Sequence, residues 1–178
     1  MNIIREYIEE GDFTLKSGKK SSYYINLRPI ISSPIHIKAF SRLLFYNINN
    51  VKTVKVCGLP YSGIPYACAI SLLYNLPMLM LRKEPKKHGT AKMIEGKYEK
   101  GDEVVLIDDI LTTGASVKEA LKHLNPEVKI QKLIVIVDRE EGGKEELEKM
   151  GIKVERLYTI SDIKASDMSD RKIRPSSN

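Results

Sequence analysis

Two adjacent carboxylates, Asp108 and Asp109, close the apolar run Val104–Ile107, and after Ile110 and Leu111 comes the small hydroxyl-rich turn Thr112-Thr113-Gly114-Ala115-Ser116. Such a turn suits an anion. Glycine lets the backbone come close, a helix that starts here leaves its first N–H groups free, and the hydroxyls of Thr112, Thr113 and Ser116 can donate as well. Hydrogen bonds to a charged group contribute about 1.5–3 kcal/mol each, so a handful would dominate affinity. A phosphate held directly against two carboxylates, however, would be repelled. The ligand must therefore be longer than a phosphate, with a neutral polyol or a metal at the acids and a phosphate one turn further on. A ribose 5-phosphate has that shape: hydroxyls, with or without Mg2+, at Asp108 and Asp109, and its 5-phosphate at 112–116.

Other sources could produce the same letters. An apolar strand ending in two acids could be the magnesium-binding strand of a nucleotide hydrolase. That needs a G-x-x-x-x-G-K-[ST] loop; Gly96 to Gly101 has the glycine spacing but continues with Asp102. A dinucleotide site would need G-x-G-x-x-G, which is absent. An ordinary strand end followed by a helix cap also remains open on this stretch alone.

The acids and the turn need a scaffold. Ile3, Ile4, Tyr7 and Ile8 fall at helical spacing, with Gly11 as a stop. Phe13–Leu15 and Ser22–Arg28 read as short strands around KSGKKS. Ser33-Pro34 opens a helix expected to bury Phe40, Leu43, Leu44 and, near its end, Asn47-Ile48. From Thr53 a strand–helix rhythm sets in. Its strands are TVKVC, PMLML, EVVLID, KLIVIVD and KVERLYT; its helices are GIPYACAISLLYN, ASVKEALKHL and GKEELEKM. Runs apolar on both faces belong to central parallel strands covered by helices. The expectation is one α/β domain over 1–178, with an open, mainly parallel sheet flanked by helices. Ligands in such sheets lie beyond the carboxyl ends of the strands. That places Gly58–Gly63, Arg82–Gly96, Asp108–Ser116 and Asp138-Arg139 at one edge.

The bulk numbers agree. The chain has 178 residues, 42% hydrophobic and 29% charged, as in a globular protein. No apolar run reaches the length needed to span a bilayer, and the N-terminus does not read as a signal peptide. Two cysteines, Cys57 and Cys68, make no metal-binding pattern and suggest a reducing, cytoplasmic setting. The net charge of +6 fits a lysine-rich surface, a nucleic acid partner or a polyanionic small molecule.

The stretch Val104–Val117 resembles the ribose-phosphate signature of the type I phosphoribosyltransferases. FTLKSGKKSSYYINLR (13–28), VCGLPYSGIPYA (56–67), RKEPKKHGTAKMIEG (82–96) and DREEGG (138–143) are similar, in order, to segments of the orotate phosphoribosyltransferases. The resemblance covers most of the chain and implies a type I phosphoribosyltransferase fold. It also implies a small hood formed by about 1–30 with part of the C-terminal segment, a short helix at Ser161–Ala165 included.

The function it implies is phosphoribosyl transfer from phosphoribosyl pyrophosphate to orotate. Orotidine 5-phosphate and pyrophosphate would be formed, Mg2+ would serve as cofactor, and the chain would act as a homodimer without nucleic acid or membrane partners. Mg2+ would be held mainly through substrate, with Asp108 and Asp109 as candidate ligands. The loop cations Arg82, Lys83, Lys86 and His88 would act on pyrophosphate, reaching across the dimer. Glycines 89 and 96 would let that loop close like a lid. Tyr61, Ser62 and Gly63 would cradle the diphosphate; many family members carry lysine where Ser62 stands. Lys16 and Arg139 would contact orotate, with Tyr24 and Ile25 against its ring. Each has a plainer reading. The loop could be a solvated charged segment or a nucleic-acid patch, though no aromatic residue is interleaved to stack bases before Tyr98. One of Tyr23 and Tyr24 is expected to be an ordinary strand residue, since strand neighbours point oppositely. Arg139 could form a surface ion pair with Glu140 or Glu141.

The rivals kept open are a phosphoribosyltransferase for another nucleobase and a regulator that senses phosphoribosyl pyrophosphate. The chain is expected to carry no fused decarboxylase and to end in a loose polar tail over 171–178.

Overall fold

The apolar run that leads to the acids lies in the middle of a nine-residue strand, Glu103–Leu111, and Val104 to Ile107 are fully buried. The computed structural model describes residues 2–14, 18, 20–49, 54–85 and 92–173. In chain order the strands are β1 (Ile8–Thr14), β2 (Lys20–Ile25), β3 (Lys55–Gly58), β4 (Met78–Leu81), β5 (Ile94–Glu95), β6 (Glu103–Leu111), β7 (Lys129–Asp138) and β8 (Lys153–Thr159). The helices are α1 (Asn2–Arg5), α2 (Pro34–Phe45), α3 (Gly63–Tyr74), α4 (Ala115–Leu124), α5 (Gly143–Lys149) and α6 (Ile160–Ile173).

Six strands form one sheet in the order β5-β4-β3-β6-β7-β8, and β1 and β2 form a separate antiparallel pair. All neighbours in the large sheet are parallel except β4 and β5. This is the open, mainly parallel sheet expected. Its side chains divide by strand alternation. Val105 and Ile107 join a core with Phe40 and Leu44 of α2 and Ala67 and Ile70 of α3, whereas Val104 and Leu106 pack with Val117, Leu121 and Leu124 of α4. The helical face Val117, Ala120, Leu121, Leu124 is buried as its spacing requires. Lys132 is the one lysine buried in the sheet among the described residues. It donates to the Asn47 carbonyl and pairs with Glu155, both at 3.0 Å, tying β7 to β8 and to the end of α2.

Several boundaries differ from expectation. Only Asn2–Arg5 is helical at the N-terminus; Ile8 opens β1, and Gly11 lies inside that strand beside a register shift between Glu10 and Phe13. One helical turn is a poor competitor against a paired strand, because nucleation fixes several residues for one hydrogen bond. The second strand ends at Ile25 rather than Arg28, since Pro29 turns the chain into a 3-10 segment, Arg28–Ser32. Leu43 is 40% exposed, and its neighbour Leu44 takes the core position. Strand β6 runs on to Leu111, so the acids sit within the strand and not beyond it. The short strand β5 lies inside the segment read as a loop, 82–96. The C-terminal helix is longer than Ser161–Ala165 and takes in residues 171–173 of the expected tail. Ile160 and Ile163 of this helix share a core with Ile4, Ile25 and Leu27 of the N-terminal segment.

Candidate active site

Strand β6 delivers the acids. The Asp109 amide donates to Asp108 Oδ1 at 2.9 Å, and the Ile110 amide to Asp109 Oδ1 at 2.8 Å. Each carboxylate is thus anchored by the next residue's backbone, and both are buried. Burial pushes the carboxyl groups of both above the ordinary carboxylate range, and for Asp108 the neighbouring Asp109 charge adds to the shift. The two are too close to titrate separately, so the pair as a unit retains protons more readily than an exposed acid. Ser62 hydrogen-bonds Asp109 and opposes the shift.

Ser62 reaches Asp109 because the turn 59–63 lies hard against β6. A Cβ on Gly63 would stand 2.0 Å from the Ile107 carbonyl oxygen, so only glycine permits this approach. The Pro60–Tyr61 peptide bond in the same turn is cis. Tyr61 is 68% exposed, and Lys83 lies 5.7 Å from its ring centroid, which brings the start of the 82–96 segment to this turn. Arg82 is held elsewhere: its side chain pairs with Glu95 at 3.4 Å and donates to the Glu84 carbonyl at 3.2 Å.

Beyond β6, Gly114 adopts φ 74° and caps α4 without a side-chain hydrogen bond, leaving the first amides of the helix to the turn. The turn is braced from below. A Cβ on Gly143, the first residue of α5, would meet the Thr112 carbonyl oxygen at 2.2 Å and the Gly114 nitrogen at 2.8 Å. No other residue type lets α5 support the turn so closely.

A cavity of about 670 Å³ joins these parts. Thr112, Thr113, Ala115 and Ser116 line it from the turn before α4, Ser62 from the turn 59–63, Asp109 from β6, Arg139 from the end of β7, and Tyr24 and Ile25 from the hood. Asp108, Tyr61, Gly63, Gly114, Arg82 and Lys83 do not line it. Lys16, Lys86 and His88 lie outside the described residues.

Thr14, Asn26, Leu27, Arg28 and Ile110 line the cavity without having been singled out, and Glu141, expected only as an ion-pair partner of Arg139, lines it too. Arg28 could have been suspected as a lone cation ending a strand-like run; the others carry no local signal.

Arg139 is not a surface residue. Its side chain is 7% exposed, it pairs with Glu141 at 3.0 Å, and its guanidinium lies 5.2 Å from the Tyr23 ring centroid. Lys164 of α6 lies 4.1 Å from the same centroid. Tyr23 therefore orients Arg139, while the next residue, Tyr24, faces the cavity and contacts Phe13 at 5.5 Å between centroids.

A family model, the phosphoribosyl transferase domain, matches residues 32–166. The chain is 40% identical over 166 residues to an orotate phosphoribosyltransferase of Pyrococcus horikoshii, covering 91% of this chain and 89% of that protein. It is 37% identical over 169 residues to one of Methanocaldococcus jannaschii, covering 93% and 96%. The crystal structure of orotate phosphoribosyltransferase from Aeropyrum pernix superposes with a TM-score of 0.76 at 27% identity, covering 90% of this chain and 93% of that one. A strand-borne acid pair, an amide-rich turn and a buried arginine around one cavity accord with these likenesses, and the chain belongs to the orotate phosphoribosyltransferase family.

Proposed function

We propose that this chain transfers the phosphoribosyl group of phosphoribosyl pyrophosphate to orotate, forming orotidine 5-phosphate and releasing pyrophosphate, a step of pyrimidine and UMP biosynthesis. The observation that carries this reading is the cavity itself. It offers a carboxylate at Asp109, a phosphate turn at 112–116 and a buried cation at Arg139 to one ligand.

In this reading the turn binds the 5-phosphate through the free amides of α4 and the hydroxyls of Thr112, Thr113 and Ser116. Asp109 takes the ribose hydroxyls, with Asp108 buried behind it, and supplies negative charge near the sugar as positive charge grows at C1. The sugar diol offers the Asp109 carboxylate donors in addition to the Ile110 amide and Ser62. Arg139 takes the carboxylate of orotate, and Tyr24 and Ile25 flank its ring. Lys83, beside Tyr61, and the loop that follows it stabilise the departing pyrophosphate and exclude water, which would otherwise capture the sugar.

Among the described residues no group of three or more His, Cys, Asp or Glu could hold a metal. The donors present, two carboxylates with one oxygen each tied to backbone, suit an ion that brings most of its ligands from substrate, as Mg2+ does at phosphate sites. Mg2+ held so would neutralise charge on the leaving pyrophosphate. The loop 82–96 is read as shared across a homodimer. The exposed Leu72 and Leu73 of α3 and Met80 of β4 give such an interface apolar surface to cover, and sedimentation at micromolar concentration tests it. Two free cysteines suit a reducing cytoplasm.

The deciding assay follows orotate with a panel of other nucleobases. Orotate should be consumed only when phosphoribosyl pyrophosphate and Mg2+ are both present. Consumption of a purine instead, or of no base, rejects the reading.

A further inference from the structure

The cavity that would receive an anionic base already contains an anion. Glu141 lines it and pairs with Arg139 at 3.0 Å, with side-chain exposures of 19% and 7%. Arg139 Nε, equally buried, has no hydrogen-bond acceptor. The guanidinium is therefore held by one carboxylate on one terminal nitrogen, while a second donor remains unmet. A planar carboxylate arriving from the cavity can accept two parallel N–H bonds from a guanidinium, a better match than a single contact.

We propose that Glu141 is a stand-in anion. It neutralises Arg139 while the base site is empty and is displaced from the guanidinium when the carboxylate of the base docks. The proposal rests on the reading that the base is orotate. It explains how a cation can remain buried in an empty pocket without capturing stray phosphate or sulfate: an incoming anion must first replace a bonded one. A neutral pyrimidine offers Arg139 only uncharged carbonyl acceptors, a weaker exchange for a carboxylate, and leaves the pair closed. Glu141 thus acts through Arg139, as a positioning and selectivity residue, and need not touch the reacting atoms.

The sign of the effect separates this from a structural role. Loss of a merely structural ion pair would loosen Arg139 and weaken orotate. If Glu141 competes with the base, Glu141→Gln should lower the orotate KM by about tenfold, equivalent to about 1.4 kcal/mol. In the same variant sulfate should become a stronger competitor against orotate, with its inhibition constant falling in parallel. An orotate KM that stays level or rises in a variant shown by circular dichroism to be folded overturns the proposal, as does unchanged inhibition by sulfate. Should the variant not fold, a crystal structure of the unmodified protein with orotate decides. The Arg139–Glu141 separation should open beyond about 4 Å, the usual ion-pair limit; a pair still at 3.0 Å beside bound orotate sinks the idea. Failure of the proposed activity would appear separately, as an unmodified protein that consumes no orotate.

Discussion

The turn proposed to hold phosphate and the wall proposed to hold the base share one cavity but are built in opposite ways. The turn 112–116 is contiguous, and its donors are the amides and hydroxyls of five successive residues at the mouth of α4. The base wall draws Tyr23, Tyr24 and Ile25 from the hood, Arg139 and Glu141 from beyond β7, and Lys164 from α6. A contiguous site is held by backbone geometry, so its weak points are glycines and neighbouring backbone. A site assembled from distant segments is held by side-chain pairs, so each of its members is individually replaceable at smaller loss. The comparison teaches where substitutions should be severe and where they should be graded.

The largest effect is expected at the acids that join the two regions. Asp109→Asn should lower kcat by about 100-fold or more, the scale for removing a group aimed at developing charge. The same change should stabilise the protein without ligand. Burial raises the folded-state pKa of Asp109, so its contribution favours folding fully only below the unfolded value and is lost as pH rises through the raised one. The melting temperature of Asp109→Asn should therefore match the unmodified protein in acid and exceed it increasingly toward neutral pH. A melting temperature that falls at neutral pH would contradict this account of the pair.

Next comes the brace beneath the turn. Gly143→Ala places a methyl carbon against the Thr112 carbonyl, and backbone must move. Displacement of a binding group by about 1 Å can lower efficiency by about 100-fold, and here the loss should fall on kcat/KM for phosphoribosyl pyrophosphate. A larger loss for orotate would show that the turn and the wall are not separable.

Lys83→Ala should lower turnover by about tenfold, roughly one charge-assisted contact, while ribose 5-phosphate binding, measured by calorimetry, stays nearly level. Unchanged turnover would remove Lys83 from the leaving-group side.

The smallest effect is expected in the assembled wall. Tyr23→Leu keeps apolar bulk but removes the ring face between Arg139 and Lys164. A cation over a ring is worth about 0.5–2 kcal/mol, so the orotate KM should rise a few-fold and that for phosphoribosyl pyrophosphate should not. A loss as large as that of Gly143→Ala would erase the contrast between the two regions.

The sequence by itself determined the layered scaffold and the glycine-bearing turn before α4, because both depend on neighbours in the chain. Unbroken apolar runs such as Val104–Ile107 and Leu133–Val137 can be buried only between two helical layers, and an acid pair followed by a glycine-bearing helix start implies its chemistry from local geometry. Only the tertiary structure decided which of two adjacent tyrosines faces the cavity, that Arg139 is buried against Glu141, and that α5 needs glycine at 143 to brace a turn about thirty residues earlier in the chain. It also decided that Ile8 and Gly11 enter a strand, because pairing with β2 outweighs a helix too short to sustain itself. These outcomes are set by close contacts between segments far apart in the chain, where spacing along the sequence carries no information about distance in space.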